Sequence, residues 1–248
     1  MLLACSSGMT TLPDGIWRKC RAWDVEGFVY LCPWGENRGM TQVRFSRYHQ
    51  ALLALTLGVL AWSGIAPKDR FTWFLEVVPV LVGLPLLAWT WRKFPFSALA
   101  YGLMACHGVI LMVGGHYTYA QMPLFDWIRD AFGLARNHYD RLGHLAQGFV
   151  PAIVAREILL RKSPLKPGGW LFFLTTCVCL ALSAFYELIE WWVAVASGDE
   201  AVAFLATQGD VWDTQWDMFL ALLGALSSQL LLGRWHDRQL KPLIQDFP

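Results

Sequence analysis

Three sets of ionisable residues recur at helical spacing at one end of three successive apolar segments. They are Asp140 with His144, Glu187 with Glu190, and Asp210 with Asp213 and Asp217. Steps of three or four residues put the members of a set on one helix face. Gln147 continues the first face and Ser183 the second. Charged groups at membrane depth are costly, so they face a partner, a ligand or water. Six carboxylates at close range cannot all stay ionised without a counter-charge. A divalent cation could neutralise them, some could be protonated, or basic residues such as Arg136, Arg141 or His116 could pair with them. Oxygen-rich ligation with a histidine suits Mg²⁺, Mn²⁺ or Zn²⁺.

Under a catalytic reading, Glu187 and Glu190 supply a base, and His144 is a ligand or acid/base oriented by Asp140 one turn away. The expected ion ligands are Asp213, Asp217, Glu187 and His144. No serine or cysteine is placed as a nucleophile, so an ion-activated water takes that part. Asp210 reads as an N-cap of the last helix, and His107 reads as a hydrogen-bonded packing residue. Asp199 and Glu200 read as solvated loop charges. Arg156 and Glu157 pair with each other or snorkel toward the far end of their helix.

These residues need long helices to carry them. The chain has 248 residues, a mean hydropathy of +0.38 and only 16% charged residues, which suits an all-α integral membrane protein. Six segments approach the roughly 20 apolar residues of a spanning helix: 48–65, 72–91, 96–117, 139–160, 170–196 and 211–235. Pro79 and Pro85 predict a kink in the second. Residues 123–132 are amphipathic and too short to span, so they belong at the interface. Many of the 14 tryptophans lie near segment ends, where interfaces favour them. A net charge of +1 points to neither nucleic acid nor an acidic partner. Cys106, Cys177 and Cys179 lie within apolar runs and read as small hydrophobes.

Lys and Arg cluster beside alternate segment ends: Arg44 and Arg47, Arg92 and Lys93, Arg161, Lys162 and Lys166, then Arg234, Arg238 and Lys241. The positive-inside rule then puts both termini in the cytoplasm and all three polar sets, with His116, at the outer face. The domain expected to span is 48–235. Residues 236–248 form a cytoplasmic tail, and 1–47 an N-terminal extension in which Met40 could be the true start.

Several stretches resemble the YjdF-like family of bacterial inner-membrane proteins. They are Gly115 to Tyr119, Asn137 to His144 with Gln147 to Phe149, Ala155 to Glu157, Tyr186 to Trp191, and Thr207 to Asp210 through Trp212 and Asp213 to Asp217 and Met218. The resemblance implies a multi-pass protein of the inner membrane. A looser pattern is similar to the VanZ-like family: Asp140-Arg141-x-x-His144, Glu187-x-x-Glu190, then Asp213 with Asp217 and Gly224. That family has Lys, Gln and Asn where this chain has Arg141, Glu190 and Asp217, so two departures add negative charge. The second likeness implies a role in the cell envelope by analogy alone.

Three functions remain open on these residues. One is a metal-dependent hydrolase or transferase acting on a lipid or cell-wall intermediate at the outer leaflet. Another is a cation- or proton-binding protein, either a transporter or an accessory subunit. The third is a scaffold whose polar cluster only orders its helices.

Overall fold

The computed structural model describes residues 45–198 and 202–244. The expectations for residues 1–44, for Asp199 and Glu200, and for 245–248 lie outside the described residues. Among the described residues the fold is all helical: α1 (Arg47–Ser63), α2 (Arg70–Thr90), α3 (Ala98–Tyr117), α4 (Pro123–Phe132), α5 (Tyr139–Lys162), α6 (Gly169–Ser197), α7 (Val202–Leu205) and α8 (Asp213–Leu240). The starts follow local chemistry. Asp69 Oδ1 accepts the Thr72 N–H at 2.6 Å and Ser97 Oγ accepts the Ala100 N–H at 3.3 Å. Both satisfy first-turn donors. Gly133 (φ 61°) ends α4 in the left-handed conformation that glycine adopts without strain.

The surface is inverted relative to a water-soluble protein. Leu230, Leu231, Val195 and Trp170 are each more than 70% exposed, while Glu157 and His236 are fully buried. Lipid is the solvent that makes this arrangement stable. Four helices, α2, α3, α6 and α8, are individually long and apolar enough to cross a bilayer. At 17 residues, α1 sits at the short end of that range. α5 is too polar to qualify by composition, and it is central, packed against α3, α6 and α8. Its charged face meets protein instead of lipid.

The α5–α8 contact sets the depth of everything else. A Cβ added at Gly148 would run into the Ala221 carbonyl oxygen, and one at Gly224 into the Leu145 carbonyl oxygen. Ala152, Ala225 and Cys179 continue this dry layer at full burial. The two backbones touch as small residues permit in membrane helix pairs.

At the end of the bundle away from the polar sets, Glu157 is enclosed. Its carboxylate accepts from Ser97 N (3.0 and 3.1 Å) and Arg161 Nη1 (2.7 Å), and lies 3.1 Å from His236 Nε2. Arg156 pairs with Asp237 at 2.7 Å. The sequence expectation left Arg156 and Glu157 to pair with each other or snorkel; Arg156 instead pairs with Asp237 on α8, and Glu157 with Arg161 one turn along α5, the Ser97 N–H and His236. α8 also runs past the expected end at 235 to Leu240, burying His236 and Leu240. The short α7 carries no spanning signal; it packs against α2 and α6.

Candidate functional site

Two loops clasp each other above the polar ends of α5 and α8. Asn137 N donates to Gln208 Oε1 (2.9 Å), and Gln208 Nε2 donates to the Asn137 carbonyl (2.8 Å). Asn137 Nδ2 also reaches the Met122 carbonyl and Asp126 Oδ1, both at 3.0 Å, tying α4 to the clasp. Exposed Leu124, Trp127 and Phe132 on α4 suit the interfacial position expected for it.

Arg136 is the fixed cation of this end. Its guanidinium contacts the Asp213 carboxylate closely, lies 3.4 Å from Asp140 Oδ2 and 3.5 Å from Asp210 Oδ2, and donates to the Ala206 carbonyl at 3.1 Å. Arg141 takes Asp210 at 2.6 Å and stacks over Trp216. Asp210 does not cap α8: its Oδ1 accepts the Trp212 N–H within the loop, and the α8 N-cap position is Trp212. The reason is electrostatic, since two guanidiniums bind that carboxylate ahead of the helix. His138, in the loop before α5, is held below the ordinary imidazole range by burial, with Arg141 and Arg136 adding to the effect.

One layer deeper sits His144, 6% exposed. Its Nε2 lies 3.5 Å from Asp140 Oδ1 and 3.9 Å from Asp217 Oδ2, and its Nδ1 lies 3.7 Å from Glu187 Oε1. His144, Glu187 and Asp217 each keep a buried polar atom with no hydrogen-bond partner among the described residues: Nδ1, Oε1 and Oδ1. These separations are long for hydrogen bonds. Two atoms that share one ion at about 2.1 Å lie roughly 3–4 Å apart. Two groups of side chains bring one ligand atom each within 4.8 Å of the others: Asp140, His144 and Asp217, and His144, Glu187 and Glu190. The ring of His144 thus stands between two carboxylate groups, one at each nitrogen. A neutral imidazole can offer one nitrogen to a metal and its other N–H to a carboxylate.

The site opens on a cavity of about 240 Å³ between α2, α3, α5 and α6. Glu76, Asp140, His144, Gln147, Tyr186 and Glu190 are among its walls. Tyr186 lies 3.4 Å from Glu76 Oε2. Tyr119 closes the cavity from the turn after α3, and burial, with Glu76 beside it, keeps its hydroxyl protonated well above the usual range.

Of the residues expected from sequence, Asp140, His144, Glu187, Glu190 and Asp217 come together. Asp213 is buried nearby with its carboxylate on Arg136, outside both of those groups. His116 does not join them: its Nδ1 is 3.0 Å from the Ser63 carbonyl and its ring packs on Trp62, at the α1–α3 contact. His107 is not the satisfied packing residue expected, because its Nε2 is buried without a partner among the described residues. Glu76 was missed, although a lone carboxylate inside an apolar run was signal enough. Tyr186 and Tyr119 carried no such signal.

A family model described as "Predicted membrane protein (DUF2238)" matches residues 48–238. The chain is 52% identical over 189 residues to the "Inner membrane protein YjdF" of Escherichia coli (strain K12), covering 76% of this chain and 90% of that protein. No solved structure matches.

Proposed function

The chain belongs to the DUF2238 family of membrane proteins, and from that premise we propose that it is a multi-pass inner-membrane protein whose buried cluster binds a divalent cation and uses it for hydrolysis or group transfer on a lipid or cell-wall intermediate. The observation that carries this reading is the set of buried atoms without a hydrogen-bond partner around the His144 ring: its own Nδ1 with Glu187 Oε1 on one side, and Asp217 Oδ1 in the carboxylate group on the other. Buried polar atoms are normally satisfied, so a group of orphans in one place marks where a ligand belongs. A ligand set of carboxylates and one imidazole suits Mg²⁺, Mn²⁺ or Zn²⁺.

A bound ion would supply Lewis acidity and lower the pKa of a coordinated water. Glu190, half-buried on the cavity wall, would serve as the proton acceptor for a water held at the cluster. Asp140 orients the His144 ring through Nε2, which leaves Nδ1 facing Glu187. Arg136 holds Asp213 and Asp140 in position and lowers the repulsion around the cluster. The Lys and Arg pattern puts the cavity at the outer face, within reach of outer-leaflet substrates.

The dry Gly148–Ala221 and Ala152–Ala225 layer beneath the cluster favours a one-sided site over an ion path through the bundle. The test is elemental analysis of detergent-purified protein after equilibration with Mg²⁺, Mn²⁺ or Zn²⁺. Near-stoichiometric metal in wild type, lost in Glu187→Gln/Asp217→Asn, is the expected result. Wild type without metal under all three conditions would overturn the reading.

A further inference from the structure

α1 and α2 both pack on α3 and leave an elongated cavity of about 740 Å³ lined by all three helices. Leu52, Leu84, Leu87 and Met104 are typical of its walls. On α3 the lining runs from Tyr101 to Leu111. That is about 15 Å at the helical rise, half of a roughly 30 Å hydrocarbon core. The end away from the carboxylates has an aromatic floor rimmed by exposed Arg92 and Lys93. Trp91 packs edge-on against Phe45 at 5.3 Å and His49 at 5.0 Å, and lies 5.2 Å from Tyr101. The other end meets the polar cavity, because Pro79, His107 and Leu111 line both volumes. At that seam the buried Nε2 of His107 has no partner among the described residues.

A floored apolar groove that leads into a carboxylate cavity, with an orphaned imidazole at the join, has the form of a site for an amphiphile. We propose that the two cavities form one binding site for a long-chain lipid with a small oxyanion head. The chain lies along the groove with its end on the Trp91–Tyr101 floor. The head enters the polar cavity beside His144 and Glu190, where a cation held as in the proposed function would offset its charge, so this assignment rests on that reading. His107 donates from Nε2 to the head at the junction and acts as a positioning residue. The bulk bilayer would fill the groove without needing His107 or the floor; a single-chain ligand uses both.

The probe is dodecyl phosphate carrying a terminal diazirine, added to the protein in phosphatidylcholine nanodiscs containing divalent metal, irradiated and mapped by peptide mass spectrometry. Labelling is expected at the floor, saturable, and competed by dodecyl phosphate but not by ethyl phosphate. Gly83 lines the groove, and a Cβ there meets nothing within 4 Å. Gly83→Trp is therefore expected to add bulk to the groove wall, and should abolish the competed labelling with metal content and size-exclusion profile unchanged. His107→Phe should raise the half-saturating concentration about tenfold, as for one lost charge-assisted hydrogen bond. His107→Asn should recover part of that. Label spread evenly over the lipid-facing sides of α6 and α8, or unchanged in Gly83→Trp, would overturn the proposal. Metal is measured on the same samples. Metal bound without saturable label therefore indicts the groove, and wild type without metal indicts the proposed function.

Discussion

Arg136 reaches three carboxylates and a backbone carbonyl from a buried position. Asp213 and Asp217 are one turn apart on α8, yet they have different work. Asp213 is spent on Arg136, whereas Asp217 keeps a free oxygen beside His144. Arg136→Met strands Asp213 and the Ala206 carbonyl in a dry environment. Breaking one side of a buried ion pair costs about 3–5 kcal/mol, so the melting temperature in detergent should fall sharply. Arg136→Lys should not restore it, since one ammonium cannot replace a guanidinium that faces several acceptors at once. The two aspartates then give opposite outcomes. Asp213→Asn should lower thermal stability while metal binding persists in the folded fraction. Asp217→Asn, which changes the carboxylate group on the Nε2 side of His144, should weaken metal binding at little cost in stability. Equal metal loss in both would return Asp213 to the ligand set.

At the scale of elements, the α5–α8 seam decides whether the cluster exists at all, because it fixes Asp140 and His144 against Asp213 and Asp217. Gly148→Ala and Gly224→Ala each drive a Cβ into the backbone of the other helix. Overpacking of a tight contact costs about 1–3 kcal/mol when side chains can yield, and here the obstacle is backbone. Both variants should lose most folded protein by size-exclusion chromatography of detergent extracts, while Gly233→Ala, which meets open space, should match wild type. Much of this architecture was legible beforehand. Six long apolar or periodic runs became six long helices. α5 was readable as a helix from its i, i+4 spacing, but its central place follows from packing. What sequence did not carry was pairing between loops. That Arg141 at the start of α5 would draw Asp210 off the start of α8, or that Asn137 and Gln208 would clasp, depends on where the connecting loops end in space. His236 was lost for a similar reason: its partner Glu157 lies on another helix, and α8 looked finished at Trp235.

For the molecule as a whole, the distribution of polarity is the main constraint. Charged groups concentrate in two buried clusters at opposite ends of α5, and the helical flanks are apolar. At one end Glu157 is held by Ser97, Arg161 and His236, and Arg156 pairs with Asp237, so that cluster ties helices together. The end with His144 carries orphaned atoms and a cavity, so the proposed chemistry belongs there, and its side of the membrane would limit the available substrates. The Lys and Arg pattern predicts that side as the outer one. In a background lacking the six natural cysteines, Asp130→Cys on exposed α4 and Lys166→Cys in the α5–α6 loop would report opposite faces. A membrane-impermeant maleimide added to intact spheroplasts should label Asp130→Cys and leave Lys166→Cys unlabelled until the cells are lysed. The reverse pattern would keep the fold and the cluster unchanged and turn the cavity toward the cytoplasm. Outer-leaflet intermediates would then be out of reach, and the amphiphile held in the α1–α3 groove would have to enter from the inner leaflet.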